Sequence, residues 1–162
     1  MTDTEAIKEL RDGLKRTWIT FFGRFGTLLP VQIETIPVIL KRKNAVITSP
    51  TASGKTEAVI APLVERFFNE GWTGLAILYI SPTRALVNDV YYRLNEQLEE
   101  LGNSASLKTG DSPSFNPQKL PNLLITTPES FDSLLCRHLQ VFRELRAVVL
   151  DEIHLIDNTY RG

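Results

Sequence analysis

The stretch "LAILYIS", Leu75–Ser81, constrains this chain more than any other. It runs apolar with no polar alternation, and a strand with one wet face would alternate. Such a strand has both faces covered, which is the habit of parallel sheets flanked by helices. "NAVITS" (44–49), "ASLKTG" (105–110), "LLITT" (123–127) and "AVVLDE" (147–152) read as further strands. Helical patterns lie around and between them. Residues 4–23 repeat Ile7, Leu10, Leu14, Trp18 and Phe21 at helical spacing, a leading helix within residues 1–23. "VQIETIPVILKRK" (31–43) reads as an apolar helix carrying Pro37. Further helices are expected over 55–69, with Pro62 bending it, over 83–101 with Gly102 as its stop, and from Pro128 to about Leu139. Strand and helix alternate, which predicts an α/β fold: a parallel sheet with helices on both faces.

At 162 residues, one domain over 1–162 is the expectation. The formal net charge is −1, so nucleic-acid binding has to come from local placement of charge and not from bulk basicity. The single cysteine, Cys136, permits no internal disulfide, which fits a reducing, cytoplasmic setting, and it is expected to be a buried packing residue. The N-terminus lacks a signal-peptide core, and no apolar run approaches the ~20 residues that span a membrane.

Two stretches carry chemistry. "TSPTASGKTEAV", Thr48–Val59, follows one expected strand and opens a helix. Amide groups of Thr51, Ala52, Ser53 and Gly54 and the helix start would converge on phosphate oxygens. Lys55 adds positive charge near the outer phosphates, and the Thr56 hydroxyl is a hard ligand for Mg2+. The plainer reading is a helix cap followed by a solvated lysine. "VVLDEIH" delivers Asp151 and Glu152 at the C-terminal end of an apolar strand, the edge where open parallel sheets bind ligands. Asp151 would hold the metal, and Glu152 would position and deprotonate a water. A polar strand end facing solvent is the plainer reading here. Lys55 and Asp151 lie 96 positions apart (151 − 55), and the functional reading expects both to serve one metal-bound triphosphate.

"SPTASGKT" together with "DEIH" resembles motifs I and II of the superfamily 2 helicases of the DEAD/DEAH-box type. "SPTRAL" (81–86) looks like motif Ia, "TGD" (109–111) like the glycine motif after it, and "TTPES" (126–130) like the TPxx motif. "LLPVQ" (28–32) looks like the end of a Q motif, with Leu29 where the family carries Ser or Thr. The combination is more similar to the Lhr-type and Ski-like branches than to true DEAD-box proteins. The resemblance spans motifs Q to II over residues 24–162. It implies an ATP-dependent helicase or translocase with a RecA-like domain using ATP and Mg2+, and Gln32 reading the adenine edge. It implies that Pro82, Thr83, Arg84, Thr109, Gly110, Thr127, Pro128 and Glu129 contact the backbone of single-stranded DNA or RNA. The chemistry suits that role: an arginine forks onto phosphate, and threonine hydroxyls and helix-start amides favour anions. His154 would couple the nucleotide site to other motifs.

The resemblance also implies an incomplete domain, without motif III and without the second RecA-like domain that supplies arginines to the phosphoryl group, and hence weak turnover by this stretch alone. Two rival readings stay open from the residues themselves. A small P-loop kinase or other NTPase explains Lys55 and Asp151 and leaves "TGD" and "TTPES" unexplained. A catalytically inert nucleic-acid-binding module keeps the fold and loses the chemistry.

Overall fold

A computed structural model describes residues 3–25, 27–50, 52–110 and 115–155. Thr51 and Asp111, both singled out above, lie outside the described residues. The chain divides into two units, Met1–Gly71 and Trp72–Gly162.

The first unit is helical. It contains α1 (Asp3–Gly13), α2 (Trp18–Phe22), α3 (Pro30–Leu40) and α4 (Lys55–Asn69). Leu10, Phe21, Ile36, Ile39, Ala58, Ala61 and Val64 on these helices are buried, with three-residue spacing along α3 and α4. Pro30 opens α3, where its missing amide hydrogen is no loss. Pro62 is buried inside α4, which continues through it.

Two expectations fail in this unit. The helix expected over 4–23 is interrupted after Gly13 and resumes at Trp18. The interruption has a partner: buried Glu65 of α4 accepts hydrogen bonds from the Arg16 and Thr17 amides at 2.9 and 3.0 Å, and from Thr17 Oγ1 at 3.2 Å. Those amides are satisfied from outside, so the chain need not continue as a helix through them. The strand expected over 44–49 does not form; these residues pair with no strand, and Val46 is 91% exposed. A strand exists only as part of a ladder, whatever its apolar pattern.

The second unit holds the sheet: β1 (Ile77–Ile80), β2 (Ala105–Lys108), β3 (Leu123–Thr126) and β4 (Ala147–Leu150), in the order β2-β3-β1-β4, all parallel. Helices α5 (Arg84–Glu100) and α6 (Pro128–His138) and a 3-10 turn (Leu139–Phe142) connect the strands. Central β1 is fully buried, as its unbroken apolar run requires. β4 is an edge strand, with Val148 and Leu150 each about half exposed. α5 buries Val87, Val90, Leu94 and Leu98, and it stops at Gly102, whose left-handed φ of 74° closes the helix as read. His138 is the last residue of α6. Cys136 lies on its exposed side, so its reading as a buried packing residue is corrected: the face of α6 that packs carries Ser130 and Leu134.

Candidate functional site

The loop before α4 belongs to the first unit. Ala52 (φ 59°) and Gly54 (φ 79°) both take the left-handed conformation, and the chain turns through them into a helix start with no side-chain cap. A helix start is where backbone amides and the helix dipole favour an anion. The left-handed φ favours glycine at position 54, and an added Cβ would stand 2.5 Å from Gln32 Nε2, the end of a side chain that would have to shift. Buried Gln32 accepts from the Leu29 amide at 3.0 Å, so its carbonyl oxygen closes the start of α3 while its amide nitrogen rests against the loop. Lys55 folds back over the turn. Its ammonium donates to the carbonyls of Ser49 at 2.7 Å and Pro50 at 2.8 Å, two oxygens that an anion's negative oxygens would replace. Ser53 and Ser49 hydroxyls are hydrogen-bonded to each other. Thr56, partly buried, sits in the first turn of α4.

The acidic pair belongs to the second unit and stands where expected, at the C-terminal end of β4. The Asp151 amide continues the ladder to Ile80 O at 2.9 Å, and its carboxylate accepts from the Tyr79 hydroxyl at 2.7 Å. Glu152 turns out of the strand with φ 49°, a conformation costly for a non-glycine residue and frequent at functional sites. His154 Nδ1 lies 3.4 Å from Glu152 Oε2, an ion pair whenever the imidazole is protonated. Among the described residues no group of three or more His, Cys, Asp or Glu side chains could hold a metal by itself. Mg2+ carried by nucleotide needs no such cage, because it binds through one or two carboxylates, phosphate oxygens and water.

A cleft of about 280 Å³ in the second unit is lined by Pro82, Arg84, Gly110, Thr127, Glu129 and Ser130. Five of these six were read from sequence. The parallel sheet explains the gathering, since the segments that follow β1, β2 and β3 all leave from one edge. Thr83 and Thr127 cap α5 and α6, accepting from the amides of Leu86 (3.3 Å) and Ser130 (3.4 Å). The Thr127 hydroxyl is also bonded to Ser130 Oγ at 3.2 Å, so it is engaged within its own helix cap. Thr109 is buried, and Pro128 is the first residue of α6; neither lines the cleft. Gly110 keeps its backbone against Arg84, where an added Cβ would stand 3.1 Å from Nη2. Sequence reasoning missed Ser130 and Tyr79. The spacing Thr127–Ser130 of a helix cap could have suggested the first. Nothing local marks the second.

Residues 29–162 match the model of the DEAD/DEAH box helicase family. The chain belongs to the DEAD/DEAH box helicases. This helicase domain is 35% identical to the ATP-dependent helicase Lhr-Core of Sulfolobus acidocaldarius, with 88% of the chain and 18% of that protein aligned. It is 39% identical to the ATP-dependent DNA helicase Hel308 of Pyrococcus horikoshii over 83% of the chain and 19% of that protein. Its fold matches Mycobacterium smegmatis helicase Lhr, solved with ssDNA and AMP-PNP, at a TM-score of 0.76 and 27% identity, covering 87% of the chain and 20% of that protein. The parallel sheet with its helices is thus the RecA-like fold of these helicases, and the leaning toward the Lhr type holds. The helicase domain spans about a fifth of the length of these relatives. Among its described residues no helix is long and apolar enough to cross a membrane.

Proposed function

We propose that this chain is the ATP-binding and strand-contacting part of an ATP-dependent nucleic-acid helicase or translocase. The observation that carries the reading is the turn through Ala52 and Gly54 into the start of α4, with the Lys55 ammonium folded over it. Thr51, Ala52, Ser53 and Gly54 would present amides to the phosphates, Lys55 its charge, and Gln32 its amide to the adenine. Mg2+, bound with the nucleotide, supplies positive charge to the phosphate oxygens. Thr56 and Asp151 are the residues that would hold it. Glu152 would orient a water and accept its proton, with His154 beside it to sense the change in charge. Full turnover would draw on arginines from a second RecA-like domain.

In the cleft, Arg84 would fork onto a phosphate of single-stranded DNA or RNA. Two helix starts, those of α5 and α6, would add amide donors, with Thr83, Thr109, Gly110 and Pro128 shaping the backbone around them. Contacts of this kind carry no base information, so binding is expected to be blind to sequence.

The test is a Lys55→Ala variant of the full-length protein, read by titration of a fluorescent ATP analogue and by ATPase rate with and without a DNA or RNA strand. Nucleotide affinity should drop at least about tenfold and strand-stimulated turnover should vanish, since both rest on this charge. Strand binding without nucleotide should be retained. Unchanged nucleotide affinity and turnover would refute the assignment.

A further inference from the structure

Tyr79 is out of character with its surroundings. It sits in β1 within Leu75, Ala76, Ile77, Leu78 and Ile80, all buried, and is itself only 2% exposed. Packing alone would be served by phenylalanine or leucine. A phenol carries a hydroxyl into the interior, and an unpaired buried hydroxyl costs about 1–3 kcal/mol. The register shows how this one is accommodated. Tyr79 pairs with Val149 on β4, so its side chain shares a face of the sheet with residue 151, two positions further on. The long ring leans along the strand, and its hydroxyl donates to Asp151 Oδ2 at 2.7 Å.

The choice of donor matters. A carboxylate offers about four lone-pair sites, and this bond takes one of them. Lysine or arginine at position 79 would fix Asp151 equally well and would also cancel its charge. A phenol fixes the carboxylate and leaves its full negative charge for a divalent cation. The Asp151 amide is already tied to Ile80 O at 2.9 Å, so backbone and side chain of the same residue are both anchored to β1.

We propose that Tyr79 is a positioning residue for metal binding: its hydroxyl holds the Asp151 carboxylate in the orientation that receives Mg2+. Groups that orient a ligand from behind typically change metal affinity or activity 10–100-fold when removed. The inference rests on the reading of Asp151 as the metal-binding carboxylate.

The experiment uses the full-length protein and its Tyr79→Phe and Asp151→Asn variants. Mn2+ is titrated in the presence of ADP and followed by electron paramagnetic resonance. Affinity for the nucleotide in EDTA and circular dichroism are measured beside it. Tyr79→Phe should weaken Mn2+ binding about tenfold or more, with nucleotide affinity in EDTA unchanged. Tyr79→Leu, which also fits the aliphatic run, carries the same expectation if the phenylalanine variant does not fold. A variant with p-aminophenylalanine at position 79 retains a donor of similar reach and should bind Mn2+ within threefold of wild type. Mn2+ binding within twofold of wild type in a folded Tyr79→Phe or Tyr79→Leu variant, while Asp151→Asn loses it, overturns the role of Tyr79 alone. Undiminished Mn2+ binding by Asp151→Asn overturns the reading of Asp151 beneath it.

Discussion

Ala52 and Gly54 take the same left-handed backbone for different reasons, and substitution separates them. At Ala52 the position is exposed, and only the conformation is unfavourable to a side chain. Ala52→Gly removes about 1 kcal/mol of that strain and adds 0.5–1 kcal/mol of chain entropy to the unfolded state, so stability should stay within about 0.5 kcal/mol. At Gly54 the conformation is likewise unfavourable to a side chain, and a Cβ would in addition have to displace Gln32 Nε2, which would lie 2.5 Å away. Gly54→Ala should cost about 2 kcal/mol by urea denaturation and weaken nucleotide binding by displacing Gln32. Equal effects of the two changes would contradict the geometry of the turn. Gly54 and Lys55 read as phosphate-loop residues in the sequence. It could not show that Gln32, 22 positions earlier (54 − 32), is the neighbour that a Cβ at position 54 would displace, because that contact is tertiary.

At the scale of elements, what could be read was local and what could not was paired at a distance. The start of α6 at Thr127–Pro128 and the end of α5 at Gly102 are written in adjacent residues, and both stand where expected. The apolar stripe of residues 4–23 was also legible, with Leu10, Leu14 and Phe21 buried. The gap between α1 and α2 was not, because the residue that satisfies its amides lies 48 and 49 positions away. The missing strand over 44–49 has the same cause: apolar residues are visible in a sequence, and the ladder that would use them is not. Glu65 therefore has a testable weight. It is 1% exposed and receives two amides and a hydroxyl from the Arg16–Thr17 turn, with Asn69 Nδ2 on its other oxygen at 3.3 Å. Glu65→Ala leaves two amides without that acceptor and should destabilise by about 3 kcal/mol, while Glu65→Gln keeps an acceptor oxygen and should cost about 1 kcal/mol. Urea denaturation of the three proteins ranks them, and an alanine variant as stable as the glutamine variant would show that the turn does not depend on this acceptor.

At the scale of the whole chain, net charge bears on how the proposed strand contact would work. A chain with formal charge −1 gains little from bulk attraction to a polyanion, so affinity has to come from placed groups. Among the described residues that line the cleft, the charged ones are Arg84 and Glu129, one of each sign. That composition predicts shallow salt dependence from this part of the protein. Each neutralised phosphate on a single strand contributes about 0.7 to the slope of log K against log salt concentration. Arg84→Ala in the full-length protein should therefore lower the slope by about 0.7 and weaken binding by the same factor on oligo-dT and on mixed-sequence strands, because the contact is to backbone. Fluorescence anisotropy over a range of salt concentrations measures both quantities. An unchanged slope would mean that Arg84 touches no phosphate, and a loss confined to one base composition would mean that it reads a base. Glu129→Gln acts on the opposite charge in the same cleft and should tighten binding at low salt, an effect that fades as salt screens it.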